Sequence, residues 1–238
     1  MGEASANTVT LNIDGRKIKS VSVSKFLGVY IDKNLSWREH ITKVIRRVRQ
    51  TVGIIGRARN FMNETQLLLL CNTMVLPHLQ YCLLIWGNFA GDSNLKLRDE
   101  ITCLQKSLVR IISNSGRISH ADPLFARLCI LKVSDLYCQA LRVFSFKAFS
   151  GKLPGGVSPL FQRISHSYNT RGSSSNLYVS SNNVRSMLYL VPSQWNSLEG
   201  NLKSSGTISQ FKSKSKSQLL EPYGMFVCAV PDCRSCAV

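Results

Sequence analysis

The N-terminal part of the chain carries the alternation of apolar and polar positions that is typical of β-strands. Residues 8–13 alternate, Asp14-Gly15 is a strong signal for a two-residue hairpin turn, and residues 17–23 alternate again. A further apolar run, residues 26–31, contains Gly28, where we expect a bulge or the close approach of another backbone or ligand. The pattern predicts a β-hairpin followed by a third strand, a sheet too small to fold alone.

From Ser36 onward the apolar residues recur at helical spacing. Ser36 and Glu39 have the spacing of a capping box, which predicts the start of a helix. At 100° per residue, the apolar residues that follow lie within about 40° of one line. They are Ile41, Val44, Ile45, Val48, Val52 and Ile55. The opposite face carries four cations, Lys43, Arg46, Arg47 and Arg57. We therefore expect one side of this helix to pack and the other to present positive charge.

Further helix signals continue the pattern. Asn63-Glu64-Thr65-Gln66 repeats the capping signature, and Pro77 interrupts the helical stretch that follows. Ser93 opens a helix with one apolar face, and Asp122-Pro123 is an N-cap followed by a proline at the first helical position. The spacing of apolar residues predicts one more amphipathic helix over residues 134–147. The sequence predicts a helical bundle over residues 36–150.

The composition changes after this bundle. Residues 151–183 are rich in Gly, Ser and Asn and predict a linker. A weaker apolar pattern returns at residue 184 and ends in three lysines that alternate with serines, Lys212, Lys214 and Lys216. The expected fold class is mainly α. A small β-hairpin and strand unit (residues 1–35) precedes the bundle, and a loosely ordered segment (residues 184–238) with a short helix and a basic, cysteine-containing tail ends the chain.

Charge is the strongest compositional signal. The 30 Lys and Arg residues outnumber the 13 Asp and Glu residues and give a formal net charge of +17. This imbalance favours a polyanionic partner. Nucleic acid is the first choice because each neutralised phosphate releases counterions, an acidic membrane surface is the second, and simple solubility is the remaining interpretation. We find no export, lipid-anchor or membrane-spanning signal, and we expect an intracellular protein, cytoplasmic or nuclear, without a membrane partner.

Residues suited to metal-dependent chemistry are sparse. Asp99-Glu100 are consecutive on a predicted helix, so their carboxylates diverge by about 100°, and the 4 His residues lack the spacing of a helical metal site. Cys228, Cys233 and Cys236 offer three thiolates where a closed zinc site needs four, so we expect free thiols, with zinc as the alternative. Five other cysteines lie in apolar segments and are predicted to be buried free thiols, Cys71, Cys82, Cys103, Cys129 and Cys138. We predict no cofactor, and a metal-dependent nuclease is disfavoured.

A series of short motifs extends in order along nearly the whole chain. It runs through Lys25-Phe26-Leu27-Gly28-Val29-Tyr30-Ile31-Asp32, Leu35-Ser36-Trp37, Pro77-His78-Leu79-Gln80-Tyr81-Cys82, Ile85-Trp86-Gly87, Leu104-Gln105-Lys106, Asp122-Pro123-Leu124-Phe125, His166-Ser167-Tyr168-Asn169-Thr170-Arg171 and Trp195-Asn196-Ser197-Leu198. In order and spacing these motifs resemble the stretch that follows the polymerase palm in LINE-type, jockey-like non-LTR retrotransposon reverse transcriptases.

The resemblance implies roles for several residues. It makes Lys25, Phe26, Leu27 and Gly28 similar to a primer grip. It makes the following helices similar to a thumb that holds the template-primer through phosphates, a role that suits Lys43, Arg46, Arg47 and Arg57. The paired catalytic aspartates of that family belong to the palm, so we expect no independent polymerase activity from this chain. The expected partners are RNA or DNA, bound without sequence preference, and the fingers and palm of a reverse transcriptase.

Two further expectations complete the sequence analysis. The alternative to nucleic-acid binding is a host-adapted protein-interaction module that uses the basic helix face on an acidic protein. Because the strand unit is small, we also expect an exposed apolar edge near Phe26 and Val29.

Overall fold

A computed structural model describes residues 11–18, 20–89, 92–164 and 175–224 and confirms a mainly helical fold with a small N-terminal strand unit. The strands are β1 (Leu11–Ile13), β2 (Arg16–Ile18), β3 (Val23–Phe26) and β4 (Val29–Asp32), which form two separate antiparallel hairpins, β1–β2 and β3–β4. The helices are α1 (Arg38–Ala58), α2 (Glu64–Leu70), α3 (Leu76–Gln80), α4 (Leu83–Trp86), α5 (Asp92–Ile112), α6 (Asp122–Arg127), α7 (Val133–Phe149), α8 (Met187–Asn196), α9 (Gly200–Lys203) and α10 (Ile208–Gly224). A π-helical turn, Cys71–Val75, joins α2 to α3, and a 3-10 turn covers Ser158–Leu160.

The second hairpin replaces the third strand that the sequence predicts. Its turn is Leu27-Gly28, with φ values of 45° and 83°, the geometry of a two-residue turn in which both central residues have positive φ. The prediction of one continuous extended run across Gly28 is therefore wrong. Phe26 is exposed as expected, whereas Val29 is buried, so the expectation of an exposed edge is confirmed for Phe26 and wrong for Val29.

The start of α1 does not use the predicted capping box. The Ser36 side chain does not cap the helix, which begins after Trp37, a residue in the left-handed conformation. The Asp32 carboxylate instead accepts hydrogen bonds from the backbone N–H groups of Ser36 (3.1 Å) and Trp37 (2.9 Å). Desolvation is the largest single influence and acts to raise the pKa of Asp32, but the hydrogen bonds together outweigh it and lower this pKa below its ordinary value. Asp32 thus ties the hairpin β3–β4 to the first turn of α1.

Of the other two capping predictions, the structure confirms one and contradicts the other. The Asn63 capping box is confirmed: the Asn63 side chain accepts from Gln66 N–H at 2.9 Å, and the Gln66 side chain accepts from Asn63 N–H at 3.0 Å. Asp122 is not an N-cap, because α6 already includes it and its carboxylate pairs with Lys132 at 2.8 Å. Pro77 follows the π-helical turn, where the widened backbone accommodates a residue that has no N–H to donate.

Two hydrophobic cores share helix α7. The predicted apolar stripe of α1 is buried in the first core, together with residues of α2 to α7. The second core contains Leu141 and Phe146 of α7 with Trp195 of α8. Phe161 and Leu177, from the stretch predicted as a linker, are buried in this second core. Phe161 and Leu177 thus anchor this stretch to the second core, while most of its described residues are exposed.

Helix α10 fastens the C-terminal segment to the bundle. Phe211 near its start is buried in the second core, and Tyr223 near its end is buried in the first. The Tyr223 hydroxyl donates to the Asp135 carboxylate and accepts from the backbone N–H of Lys132 at 3.1 Å; burial and the Asp135 carboxylate raise the pKa of Tyr223. Lys212, Lys214 and Lys216 lie on this helix rather than in a tail.

The cysteine prediction is partly wrong. Cys71 is a buried free thiol, and burial raises its pKa to about 12. Cys82 and Cys138 are free and half-buried, whereas Cys103 and Cys129 are free and exposed. No helix within the described ranges is both long and apolar enough to cross a lipid bilayer.

Candidate nucleic-acid interface

The hairpin β3–β4 lies against α1 and leaves a groove of about 550 Å³ between them. Lys25 and Tyr30 of the hairpin form one side of this groove, and α1 contributes Lys43, Arg46 and Arg47 on the other. We call this the basic groove. None of the side chains that line it is a carboxylate. Two elements that are separate in sequence therefore direct four cations into one space.

Two of these cations lie near the ring of Tyr30. It is the cross-strand partner of Lys25 in the β3–β4 register, so the two side chains share one face of the hairpin. The Lys25 ammonium lies 5.8 Å from the centre of the Tyr30 ring, and the Lys43 ammonium lies 5.7 Å from it. These distances are within the range of cation–π attraction. The ring keeps two like charges in place that would otherwise repel each other.

The turn of the hairpin is held by Tyr81, which follows α3. The Tyr81 hydroxyl donates a hydrogen bond to the carbonyl oxygen of Leu27. A Cβ atom added to Gly28 would lie 3.5 Å from the Tyr81 ring, an ordinary contact distance, but the φ of +83° at Gly28 is one that only glycine adopts easily. The sequence predicted a bulge or the close approach of a backbone or ligand at Gly28; the structure instead shows a turn that needs the positive φ of glycine, with the Tyr81 side chain at contact distance.

His40 forms part of the floor of the basic groove. Its Nδ1 atom accepts from the backbone N–H of Tyr30 at 3.5 Å, and its ring meets Trp86 edge to face with 5.5 Å between ring centres. Trp86 is fixed in turn, because its indole N–H donates to the Tyr81 carbonyl at 2.8 Å. Burial lowers the pKa of His40 below its ordinary 6.5, which favours the neutral imidazole at pH 7. The positive charge of the groove at pH 7 thus comes from its Lys and Arg side chains.

The buried His40 predicts a pH dependence of stability. The folded protein binds this proton less readily than the unfolded chain, so the His40 contribution is fully present above pH 6.5 and is lost as the pH falls below 6.5 toward the lowered folded value. In urea titrations we expect the unfolding free energy of His40→Gln to decline less over this range than that of the parent protein. Identical pH profiles for the two proteins would contradict this assignment.

The residues predicted to bind nucleic acid are only partly brought together. Lys43, Arg46, Arg47, Lys25 and Gly28 all line the basic groove. Phe26 and Leu27 do not line it; they are 64% and 74% exposed at the hairpin tip. Arg57 is also outside the groove, about 21 Å further along α1 than Lys43 but within about 40° of it around the helix axis.

The sequence analysis missed the aromatic members of the groove. Tyr30 falls within the predicted apolar run of residues 26–31, and the sequence predicts no binding role for Tyr81, His40 or His78, which also line the groove. One signal could have found Tyr30. A turn placed at Leu27-Gly28 puts Lys25 and Tyr30 opposite each other, and an aromatic residue beside a cation is a combination that surfaces binding single-stranded nucleic acid use.

The described residues contain no group of three or more His, Cys, Asp or Glu side chains placed to hold a metal ion. Asp99 pairs with Arg98 and Glu100 pairs with Arg49, so the two carboxylates diverge as the sequence predicted. Cys228, Cys233 and Cys236 lie outside the described residues. Comparisons with protein-family models, with curated proteins and with solved structures found no match for this chain.

Proposed function

We propose that this chain holds nucleic acid by its phosphate backbone in the basic groove, without reading sequence and without polymerising. The observation that carries the proposal is the convergence of Lys25, Lys43 and two arginines on one groove without a lining carboxylate. Four cations in one groove repel one another, and a polyanion relieves that repulsion while releasing its own counterions. Lysine and arginine contacts to phosphates position a nucleic acid but carry no sequence information.

The wider charge distribution supports the same proposal. The net charge of +17 creates a positive field around the whole molecule, which raises the local concentration of polyanions and the rate at which they associate. Arg57 extends the cationic face of α1 beyond the groove. An extended backbone could therefore follow α1 from the groove towards Arg57.

The proposal assigns the chain to the class that its motifs resemble, the thumb-like and C-terminal module of a non-LTR retrotransposon reverse transcriptase. The hairpin β3–β4 contains the primer-grip-like positions, and α1 contains the thumb-like cations. Reading the coding sequence upstream in the same frame tests this assignment. A palm motif with paired aspartates is the expected finding, and an unrelated upstream sequence would contradict the assignment without affecting the binding proposal.

Salt dependence tests the binding itself. An RNA–DNA hybrid titrated with the protein in fluorescence anisotropy should give log affinity that falls linearly with log salt, with a slope of about −3.6 if each of four cations contacts one phosphate. Hybrids of unrelated sequence should bind within about twofold of one another, because backbone contacts do not discriminate bases. Failure to bind the hybrid at low salt would overturn the proposal. Tight binding of an acidic polypeptide such as polyglutamate in the same experiment would then favour a protein partner.

A further inference from the structure

A second cavity, of about 740 Å³, lies where the first core meets the second. Trp37 and Trp86 form one wall, Tyr137 of α7 forms another, and Met187 and Leu190 of α8 line the side of the second core. We call this the junction cavity. Ligand sites occur preferentially at such junctions between packed units, and its volume is in the range of small-molecule sites.

The backbone around the junction cavity is strained at three positions. Leu35, Trp37 and Phe89 line the cavity and have φ values of 50°, 62° and 46°. They are three of the eight non-glycine residues with positive φ in the described ranges. Residues with side chains adopt this conformation at a cost in folding free energy, and such strain concentrates at functional sites. The clustering argues against a simple packing defect.

The walls of the junction cavity combine three kinds of group. Aromatic and aliphatic side chains line it in equal number, the amide side chains of Asn34 and Asn88 add donors and acceptors, and Arg185 is the sole charged side chain among the described residues that line it. A cation would be repelled by Arg185. A nucleotide matches all three groups, because its base stacks on aromatic rings, its base edge bonds to amides and its phosphate pairs with arginine.

The junction cavity is next to the basic groove. Trp86 lines the junction cavity, His40 lines the basic groove, and their rings are in edge-to-face contact.

We infer that the junction cavity accepts an unpaired nucleotide, with its base against the Trp37 ring and its phosphate at Arg185. Where the nucleotide belongs to the strand held in the basic groove, this inference rests on the proposed function. A free nucleotide offers the same chemistry, so the experiment distinguishes the two sources.

The strand source is tested with RNA–DNA hybrids that differ only in a short single-stranded tail. One tail carries bases, and the other is abasic with the same number of phosphates. The base-bearing tail should bind about tenfold more tightly than the abasic tail, the effect of stacking one base on an aromatic side chain. Trp37→Gly, which removes the indole and relieves the left-handed strain, should abolish this preference while leaving blunt-hybrid affinity within about twofold. Phe61→Gly, at a side chain 89% exposed and outside both cavities, is the control and should retain the preference.

The free-nucleotide source is tested with adenosine monophosphate and, as the control without a base, ribose 5-phosphate. Saturable shifts of the Trp86 indole N–H resonance with adenosine monophosphate alone would assign the cavity to free nucleotides, and this result does not require the basic groove to bind at all. Equal affinity for base-bearing and abasic tails, together with no shift from adenosine monophosphate, would overturn the inference. Loss of blunt-hybrid binding alone would overturn only the proposed function.

Discussion

Replacing Lys43, Arg46 and Arg47 together by glutamine is expected to weaken binding to an RNA–DNA hybrid by about two to three orders of magnitude at 0.1 M salt, because three phosphate contacts each contribute about 0.9 to the salt slope. The slope of log affinity against log salt should become less steep by about 2.7 for the same reason. All three side chains are exposed on α1, opposite its buried stripe, so the helix should still fold. Anisotropy titrations over a series of salt concentrations measure both quantities.

The control for this variant must remove the same charge from elsewhere. Arg59, Lys96 and Arg117 are exposed and lie outside the basic groove. Their joint replacement by glutamine lowers the net charge by the same three units, and we expect a change in affinity of less than about tenfold, since only the long-range field is reduced. Equal losses in the two triple variants would show that the groove has no special role and that binding follows net charge alone.

Within the basic groove, we expect Tyr30 to contribute to nucleic-acid binding in a different way from the cations. Its ring positions Lys25 and Lys43 but carries no charge, so its contribution to binding lies in orientation rather than in counterion release. The salt slope counts neutralised phosphates, and it is therefore the quantity that separates a direct phosphate contact from a positioning contact.

The sequence predicted those parts of this fold that depend on periodicity. The buried stripe of α1 and the cations opposite it follow from 3.6-residue spacing alone, and the structure confirms both. The Asp14-Gly15 turn and the Asn63 capping box were also predicted correctly, because each depends only on neighbouring residues. Asp14 and Gly15 adopt the positive φ values of the turn, and the side chains of Asn63 and Gln66 accept hydrogen bonds from each other's backbone N–H groups.

The parts that the sequence did not predict depend on contacts between distant residues. Leu27 accepts a left-handed conformation that leucine rarely adopts, and the Tyr81 hydroxyl that bonds to its carbonyl oxygen is more than fifty residues away in the chain. The Asp32 contact is local by comparison: its carboxylate accepts from the backbone N–H groups of Ser36 and Trp37, four and five residues further on, and no side chain caps α1. The contact between Tyr81 and the hairpin turn is tertiary, so Tyr81 could not be assigned to the groove from spacing, whereas a turn placed at Leu27-Gly28 identifies Tyr30.

Replacing Trp195 by alanine is expected to lower the unfolding free energy by about 3–5 kcal/mol, the usual cost of truncating a buried tryptophan. Trp195 has no exposed surface, it stacks on Phe149 with 4.5 Å between ring centres, and its indole N–H donates to the Ser175 carbonyl at 2.8 Å. Alanine leaves a cavity between α7 and α8 and removes that donor. Urea denaturation followed by circular dichroism measures the loss, and Phe61→Ala, at an exposed side chain, should change stability by less than about 0.5 kcal/mol.

The form of the Trp195→Ala transition is as informative as its midpoint. Helix α7 contributes Leu136 to the first core and Phe146 to the second, and α10 contributes Phe211 to the second core and Tyr223 to the first. Because two helices belong to both cores, neither core can lose its packing without disturbing the other, and we expect one cooperative transition in the variant as in the parent protein. Far-ultraviolet circular dichroism and tryptophan fluorescence should therefore report the same midpoint. An early fluorescence change, with most of the helical signal retained at that urea concentration, would show instead that the second core unfolds independently and that the chain consists of two domains.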